Sequence, residues 1–300
     1  MIPKNVLRAV GLVGLVALVV VTVTTLVGPA APRPSRPVIV AGVTQWAALA
    51  RQLVGSQATV VALLSDPNAD PHSHEATPAD ALHVAQASVV IENGAGYDTW
   101  LAKLVQAGAP DATTLNVASL MHIGVGSNPH VFYDVTAAER LVVALRNVLV
   151  RANGYPGLAT RARVLLVQLA ATQRSVAQLR ASCADVRVAA TEDVTGYLLA
   201  DLGLRVVTPE RLRLAIGNSV DPTVHDLALA LRQLRHHPAF LVNNVQTATP
   251  LTNEMVAQAR AAHVPVINVT ETMSGGPYAV WIDNVLNQMR SALRRQGCAK

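Results

Sequence analysis

From Val38 onward, short runs of consecutive apolar residues alternate with longer stretches in which apolar residues recur every three or four positions. The short runs predict strands at Val38–Ala41, Thr59–Leu64, Ser88–Ile91, Thr114–Val117, Val186–Ala190, Leu204–Val207, Ala239–Asn243 and Val266–Val269. Most are apolar on successive residues, the pattern of strands covered on both faces. The periodic stretches predict helices at Gln45–Leu53, Pro78–Gln86, Tyr97–Gln106, Val135–Val150, Asp193–Leu202, Val224–Leu234, Leu251–Ala262 and Tyr278–Arg294. The start of the second is marked by Thr77 as N-cap, Pro78 at the first helical position and Asp80 in the first turn. Strands alternating with helices of this length imply βαβ units and mainly parallel sheets.

One segment breaks the rhythm. After Asn153-Gly154-Tyr155-Pro156-Gly157, the residues Leu158, Ala162, Leu165, Leu169, Thr172, Val176, Leu179 and Cys183 form a single stripe at spacings of three and four. A helix of about 26 residues would run roughly 40 Å, enough to cross two lobes. The expected fold is therefore α/β, with two (β/α) lobes bridged by one long rigid helix and a cleft between them. The division reads as residues 1–36, a signal or membrane-anchor segment with a Pro-rich linker; 37–152, an N-terminal lobe; 153–183, the linking helix; and 184–300, a C-terminal lobe.

The first segment changes the compartment. Lys4 and Arg8 precede a nearly uninterrupted apolar stretch from Ala9 to Val27. It is longer than the roughly 7–15 residues of a signal-peptide core and approaches the ~20 needed to span a bilayer. A retained anchor and a cleaved signal both remain open. In either case the charges preceding the stretch place the rest of the chain outside the cytoplasm. No cysteine lies at the end of the stretch, so a lipid-modified cysteine is not expected. The two cysteines, Cys183 and Cys298, read outside the cytoplasm either as a disulfide or as two separate thiols. The net charge is +5, but the basic residues are scattered and aromatics are only 3% of the chain, which argues against a nucleic-acid surface.

Candidate chemistry is concentrated in two Pro-His steps. One lies in Asp70-Pro71-His72-Ser73-His74-Glu75, the other in Asn128-Pro129-His130-Val131-Phe132. Proline restricts both itself and the residue before it, so each imidazole follows a stiffened stem. Two carboxylates in the second half follow strands in the same way: Glu192 after Val186–Ala190 and Glu271 after Val266–Val269. Ligands in open α/β sheets bind beyond the carboxyl ends of strands. If the lobes face each other, His72, His130, Glu192 and Glu271 supply four N/O ligands and two negative charges for a divalent cation. Taken singly, each also reads as a solvated surface group, and Glu192 as a charge favoured at a helix N-terminus. His74, Glu75 and Asp193 are neighbours able to hydrogen-bond the ligands.

These segments, with Ile91-Glu92-Asn93-Gly94-Ala95-Gly96-Tyr97-Asp98-Thr99-Trp100-Leu101, Gly196-Tyr197-Leu198 and Thr270-Glu271-Thr272-Met273, resemble the zinc/manganese-type metal solute-binding proteins of bacterial ABC importers, the cluster A-I or cluster 9 family. The resemblance covers roughly Val38 to Arg294. It implies two (β/α) lobes bridged by a rigid helix, metal in the cleft, and delivery to an ABC transporter permease rather than catalysis. It carries the ligand set over as His72, His130, Glu192 and Glu271. The sequence departs from the family pattern at Asn128, where Asp is usual and steers the loop, and it lacks a histidine-rich loop. Two imidazoles and two carboxylates form a harder donor set than three histidines, which favours Mn²⁺ or Fe²⁺, while the Irving–Williams order favours Zn²⁺. The reading is Mn²⁺ or Zn²⁺ as the bound solute, with Fe²⁺ as a further candidate. Two alternatives stand beside it: a metal-free surface adhesion or assembly protein on this fold, and a metallohydrolase using the same ligands.

Overall fold

The computed structural model describes residues 36–66, 74–152 and 154–298. The apolar N-terminal segment, His72 and Asn153 lie outside the described residues. Among those residues no helix is long and apolar enough to cross a membrane.

The first lobe is β1 (Val38–Val43), α1 (Thr44–Val54), β2 (Thr59–Leu64), α2 (Pro78–Ala85), β3 (Val89–Glu92), α3 (Thr99–Gly108), β4 (Thr113–Asn116), α4 (Val117–Leu120), a 3-10 turn at Val131–Tyr133 and α5 (Val135–Ala152). The connecting helix is α6 (Leu158–Cys183). The second lobe is β5 (Arg187–Ala190), α7 (Gly196–Asp201), β6 (Arg205–Val206), α8 (Glu210–Gly217), α9 (Val224–Arg235), β7 (Leu241–Asn244), α10 (Pro250–Ala261), β8 (Val266–Val269) and α11 (Tyr278–Arg295).

Both sheets are four-stranded and parallel, ordered β2-β1-β3-β4 and β6-β5-β7-β8. Every residue of β1 and β3 is buried, as their uninterrupted apolar runs require. The shared order matters for function. In each sheet the chain turns one way from its first strand and then crosses to the other side. This creates a switch point between β1 and β3 in one lobe and between β5 and β7 in the other. A crevice opens beyond the carboxyl ends of strands at such a point.

The residues of α6 that are buried are the eight of the apolar stripe, from Leu158 to Cys183. All but Thr172 enter one hydrophobic cluster that also contains Ile39 and Ile91 of the first sheet and Val188 and Val242 of the second. Aromatic rings fill the junction: Trp46 lies 6.3 Å from Tyr278, and Tyr133 lies 4.6 Å from Trp281, between ring centroids. The helix is thus continuous with the cores of both lobes. Cys183 at its end is bonded to Cys298, with Cα atoms 5.2 Å apart.

Three local features differ from expectation. The chain from Thr191 to Thr195 is irregular, and α7 begins only at Gly196, so Asp193 precedes the helix instead of starting it. Helix α8 was not anticipated. Its Leu212, Leu214 and Ile216 alternate with other residues at the period of a strand, and only Leu212 and Ile216, one turn apart, are buried. Helix α4 is a single turn, capped by the Asn116 side chain on Ser119 N–H.

The start of α2 follows the sequence signature. Thr77 Oγ1 accepts from Asp80 N–H and Asp80 Oδ2 accepts from Thr77 N–H at 2.8 Å, a reciprocal capping box. Thr77→Ala is expected to destabilise the chain by about 1 kcal/mol, measured as a reduced urea midpoint with an unchanged m-value.

Candidate metal centre

Each sheet presents its switch point to the other. Beyond β1 stand Thr44 and Gln45, and beyond β3 stands Asn93; all three are buried. Beyond β5 stand Thr191 and Glu192, and beyond β8 stands Glu271; these too are buried. His130 arrives differently. It sits at the end of the loop that follows α4, after Pro129 and immediately before the 3-10 turn, and it is buried.

Among the described residues, His130, Glu192 and Glu271 form a group whose candidate ligand atoms all lie within 4.8 Å of one another. The three residues are 3%, 1% and 0% exposed. His130 Nε2 is 3.3 Å from Glu271 Oε2. Glu192 Oε2 is buried with no hydrogen-bond partner, while Oε1 accepts from Thr247 Oγ1. Burial pushes the Glu192 carboxyl above its ordinary range, and the negative charge of Glu271 raises it further. Two buried carboxylates at this separation cost free energy unless a proton or a cation is shared between them. Ionised, the two carboxylates carry two negative charges, the complement of a divalent ion.

The surroundings hold these groups still. Glu271 Oε2 accepts from Tyr97 Oη at 2.8 Å, and Oε1 from Asn244 Nδ2 at 2.7 Å. Its backbone carbonyl accepts from Gln45 Nε2 at 2.7 Å, and its N–H donates to Gln246 Oε1 at 2.5 Å. Tyr97 is placed by a turn in which Gly94 has φ of 81°, where a Cβ would collide with Asn116. Asp98 clamps that turn, accepting from Asn93 N–H at 2.6 Å and Gly94 N–H at 2.9 Å. Burial raises its carboxyl to about 6.

The remaining sequence candidates fall into two groups. Asn128 touches His130 directly: its Oδ1 lies 2.7 Å from His130 Nδ1. Asp193 joins through its backbone, its carbonyl accepting from Asn128 Nδ2 at 2.8 Å, while its carboxylate pairs with Arg213. His74 lines the same cavity as His130, a space of about 490 Å³ that also reaches Asp193, Arg213 and Gly217. Its ring packs 4.4 Å from that of Trp100, and its Nε2 lies 3.4 Å from Asp80 Oδ2. Glu75 is exposed. His72 lies outside the described residues.

Several contacts of the candidate site were not anticipated. Asn244, the last residue of β7, and Gln246 and Thr247, on the turn after it, hold Glu271 and Glu192. The polar residues of Asn243-Asn244-Val245-Gln246-Thr247, at the end of a buried strand, were the available signal. Helix α8 contributes Arg213 and Gly217, where a Cβ would come to 3.4 Å from Glu192 Oε2.

Residues 39–292 match the family model of ZnuA, described as the periplasmic component A of a zinc-uptake complex. The chain belongs to that family. The ZnuA family is periplasmic, which places the chain outside the cytoplasm, and its members are non-enzymatic solute-binding components of ABC metal uptake. The family resemblance and the two-lobed α/β fold expected from the sequence are both met, and the hydrolase alternative falls. No curated protein matches the sequence. Solved structures share the fold. The solute-binding protein FpvC of Pseudomonas aeruginosa, in complex with Mn²⁺, superposes with a TM-score of 0.69 at 20% identity, covering 87% of this chain and 99% of that one. The periplasmic zinc-binding protein TroA of Treponema pallidum gives 0.66 at 18% identity, over 86% and 99%. A ZnuA crystal structure gives 0.67 at 13% identity, over 86% and 98%.

Proposed function

We propose that the chain captures Mn²⁺ or Zn²⁺ outside the cytoplasm and delivers it to an ABC transporter permease. His130, Glu192 and Glu271 are the ligands, and His72, in the connection between β2 and α2, is the fourth. The observation that carries this reading is the buried cluster of one imidazole and two carboxylates, in which Glu192 Oε2 has no hydrogen-bond partner. Buried carboxylates of like charge are retained when a cation completes them. Imidazole and carboxylate donors suit both Mn²⁺ and Zn²⁺, and the solved relatives include a Mn²⁺ complex and a zinc-binding protein. The α6 strut shares its core with both lobes, so release proceeds by small shifts of the ligand loops instead of a wide hinge opening. The apolar N-terminal segment either tethers the receptor near its permease or is removed on export.

Equilibrium dialysis of the full chain against Mn²⁺ or Zn²⁺, with metal counted per chain, tests the proposal. One ion per chain is expected, falling to none in the His130→Ala/Glu271→Gln double variant. A wild-type chain that retains neither ion, or a double variant that still retains one, would overturn it.

A further inference from the structure

We propose that Asn128 is the positioning residue of this site. Its amide orients His130 and at the same time ties His130 to the loop that carries Glu192, so that it governs how fast metal leaves. This rests on the metal-receptor reading above.

The orientation of the amide follows from its neighbours. The Asp193 carbonyl can only accept, and it lies 2.8 Å from Nδ2. The His130 backbone N–H can only donate, and it lies 3.0 Å from Oδ1. Nitrogen therefore faces Asp193 and oxygen faces His130. The same oxygen stands 2.7 Å from His130 Nδ1, which must carry the ring proton to bond it. In the ring that binds metal the lone pair is then on Nε2, the atom that faces Glu271. One side chain thus selects the metal-binding tautomer and crosses to the second lobe.

Two further features are built around this clasp. Tyr197 Oη, from α7 of the second lobe, donates to the Asn128 carbonyl at 2.7 Å. The residue before it is Gly196, where a Cβ would come to 2.8 Å from Asn128 Nδ2. The first residue of α7 is small because the amide occupies that space. A carboxylate at position 128 would still accept from His130 Nδ1. It would have no proton for the Asp193 carbonyl and would set oxygen against oxygen there. Asparagine couples what aspartate would separate: ring orientation and closure of the 191–195 loop over the site. Metal held between His130 of one lobe and Glu192 of the other can leave only after this contact opens.

The experiment is stopped-flow release of Mn²⁺ or Zn²⁺ from the loaded full chain into excess chelator, with association measured separately. Two variants are compared, Asn128→Asp and Gly196→Ala. The second replaces no ligand, and its added methyl is aimed at the Asn128 amide, with Asp193 the next neighbour at 3.7 Å. In both, dissociation is expected to accelerate about tenfold or more, within the usual range for residues that orient a ligand, while association changes by less than about threefold. A purely structural role would lower the melting temperature of the metal-free chain and leave release unchanged. Release at the wild-type rate in both variants would overturn the clasp while leaving the receptor intact. A wild-type chain that takes up no metal would remove the receptor reading, and the clasp with it.

Discussion

Reduction of the Cys183–Cys298 bond is expected to lower the unfolding free energy of the chain by about 5 kcal/mol. The cysteines are 115 residues apart, and the loop they close contains the whole second lobe, from β5 to α11. Restricting the unfolded chain over a loop of that length stabilises the fold by about 4.8 kcal/mol in the chain-entropy account. Location adds to the effect. Cys183 is the last buried residue of the α6 stripe, and Cys298 follows α11, which packs on α6 through the Thr172–Asp283 hydrogen bond at 3.0 Å. The bond therefore returns the end of the lobe to the helix from which the lobe begins. At roughly 2–4 °C per kcal/mol for a chain of this size, the melting temperature should fall by about 10–20 °C. Scans with and without a phosphine reductant, and of Cys183→Ser/Cys298→Ser, should agree. A shift of less than about 2 °C in both would show that the closed loop contributes no stability.

Replacing Glu192 by glutamine is expected to trade metal binding for stability. The side chain keeps its size and can still accept from Thr247 Oγ1. The site loses one of its two negative charges, and metal affinity should fall by about 100-fold, which corresponds to about 2.7 kcal/mol of metal-linked stabilisation in excess metal. Without metal the sign reverses. Burial first, and the Glu271 charge second, raise the Glu192 carboxyl above its unfolded value. A raised carboxyl adds stability while protonated, and that contribution is lost as pH rises through the folded value. Glutamine cannot ionise, so metal-free Glu192→Gln should melt above the metal-free wild type at pH 8. The gap should close near pH 4, around the unfolded value for glutamate. Asp98 and Asp201 are also raised, each to about 6, but they are present in both proteins and cancel in the difference. Melting scans from pH 4 to 8, with and without Mn²⁺, give both signs. A metal-free variant that melts below the wild type at every pH would contradict the argument.

The same residues show how far local sequence reaches. Hydrophobic period alone determined the strands, most helices and the buried stripe of α6, because burial of one face or of both leaves its mark on consecutive residues. Pro-His context and the position of Glu192 and Glu271 just beyond strands marked three groups that meet within 4.8 Å. Helix α8 escaped, because arginines interleave its leucines and the buried pair is only one turn apart. The roles of Asn244, Gln246 and Thr247 escaped for another reason: polar residues at the end of a strand do not say which carboxylate they will hold.

What the sequence by itself determined, then, is the two α/β halves, the helix between them and the residue types of a candidate divalent-metal site. These depend on periodicity and on strand ends, both encoded within a few residues of the chain. Only the tertiary structure decided that Cys183 and Cys298 pair, that Asn128 reaches Asp193 across the cleft, and that Tyr97 and Gln45 of one lobe hold Glu271 of the other. Those contacts join residues 65 to 226 positions apart. Packing of the two lobes against α6 brings them together, and no local pattern records it.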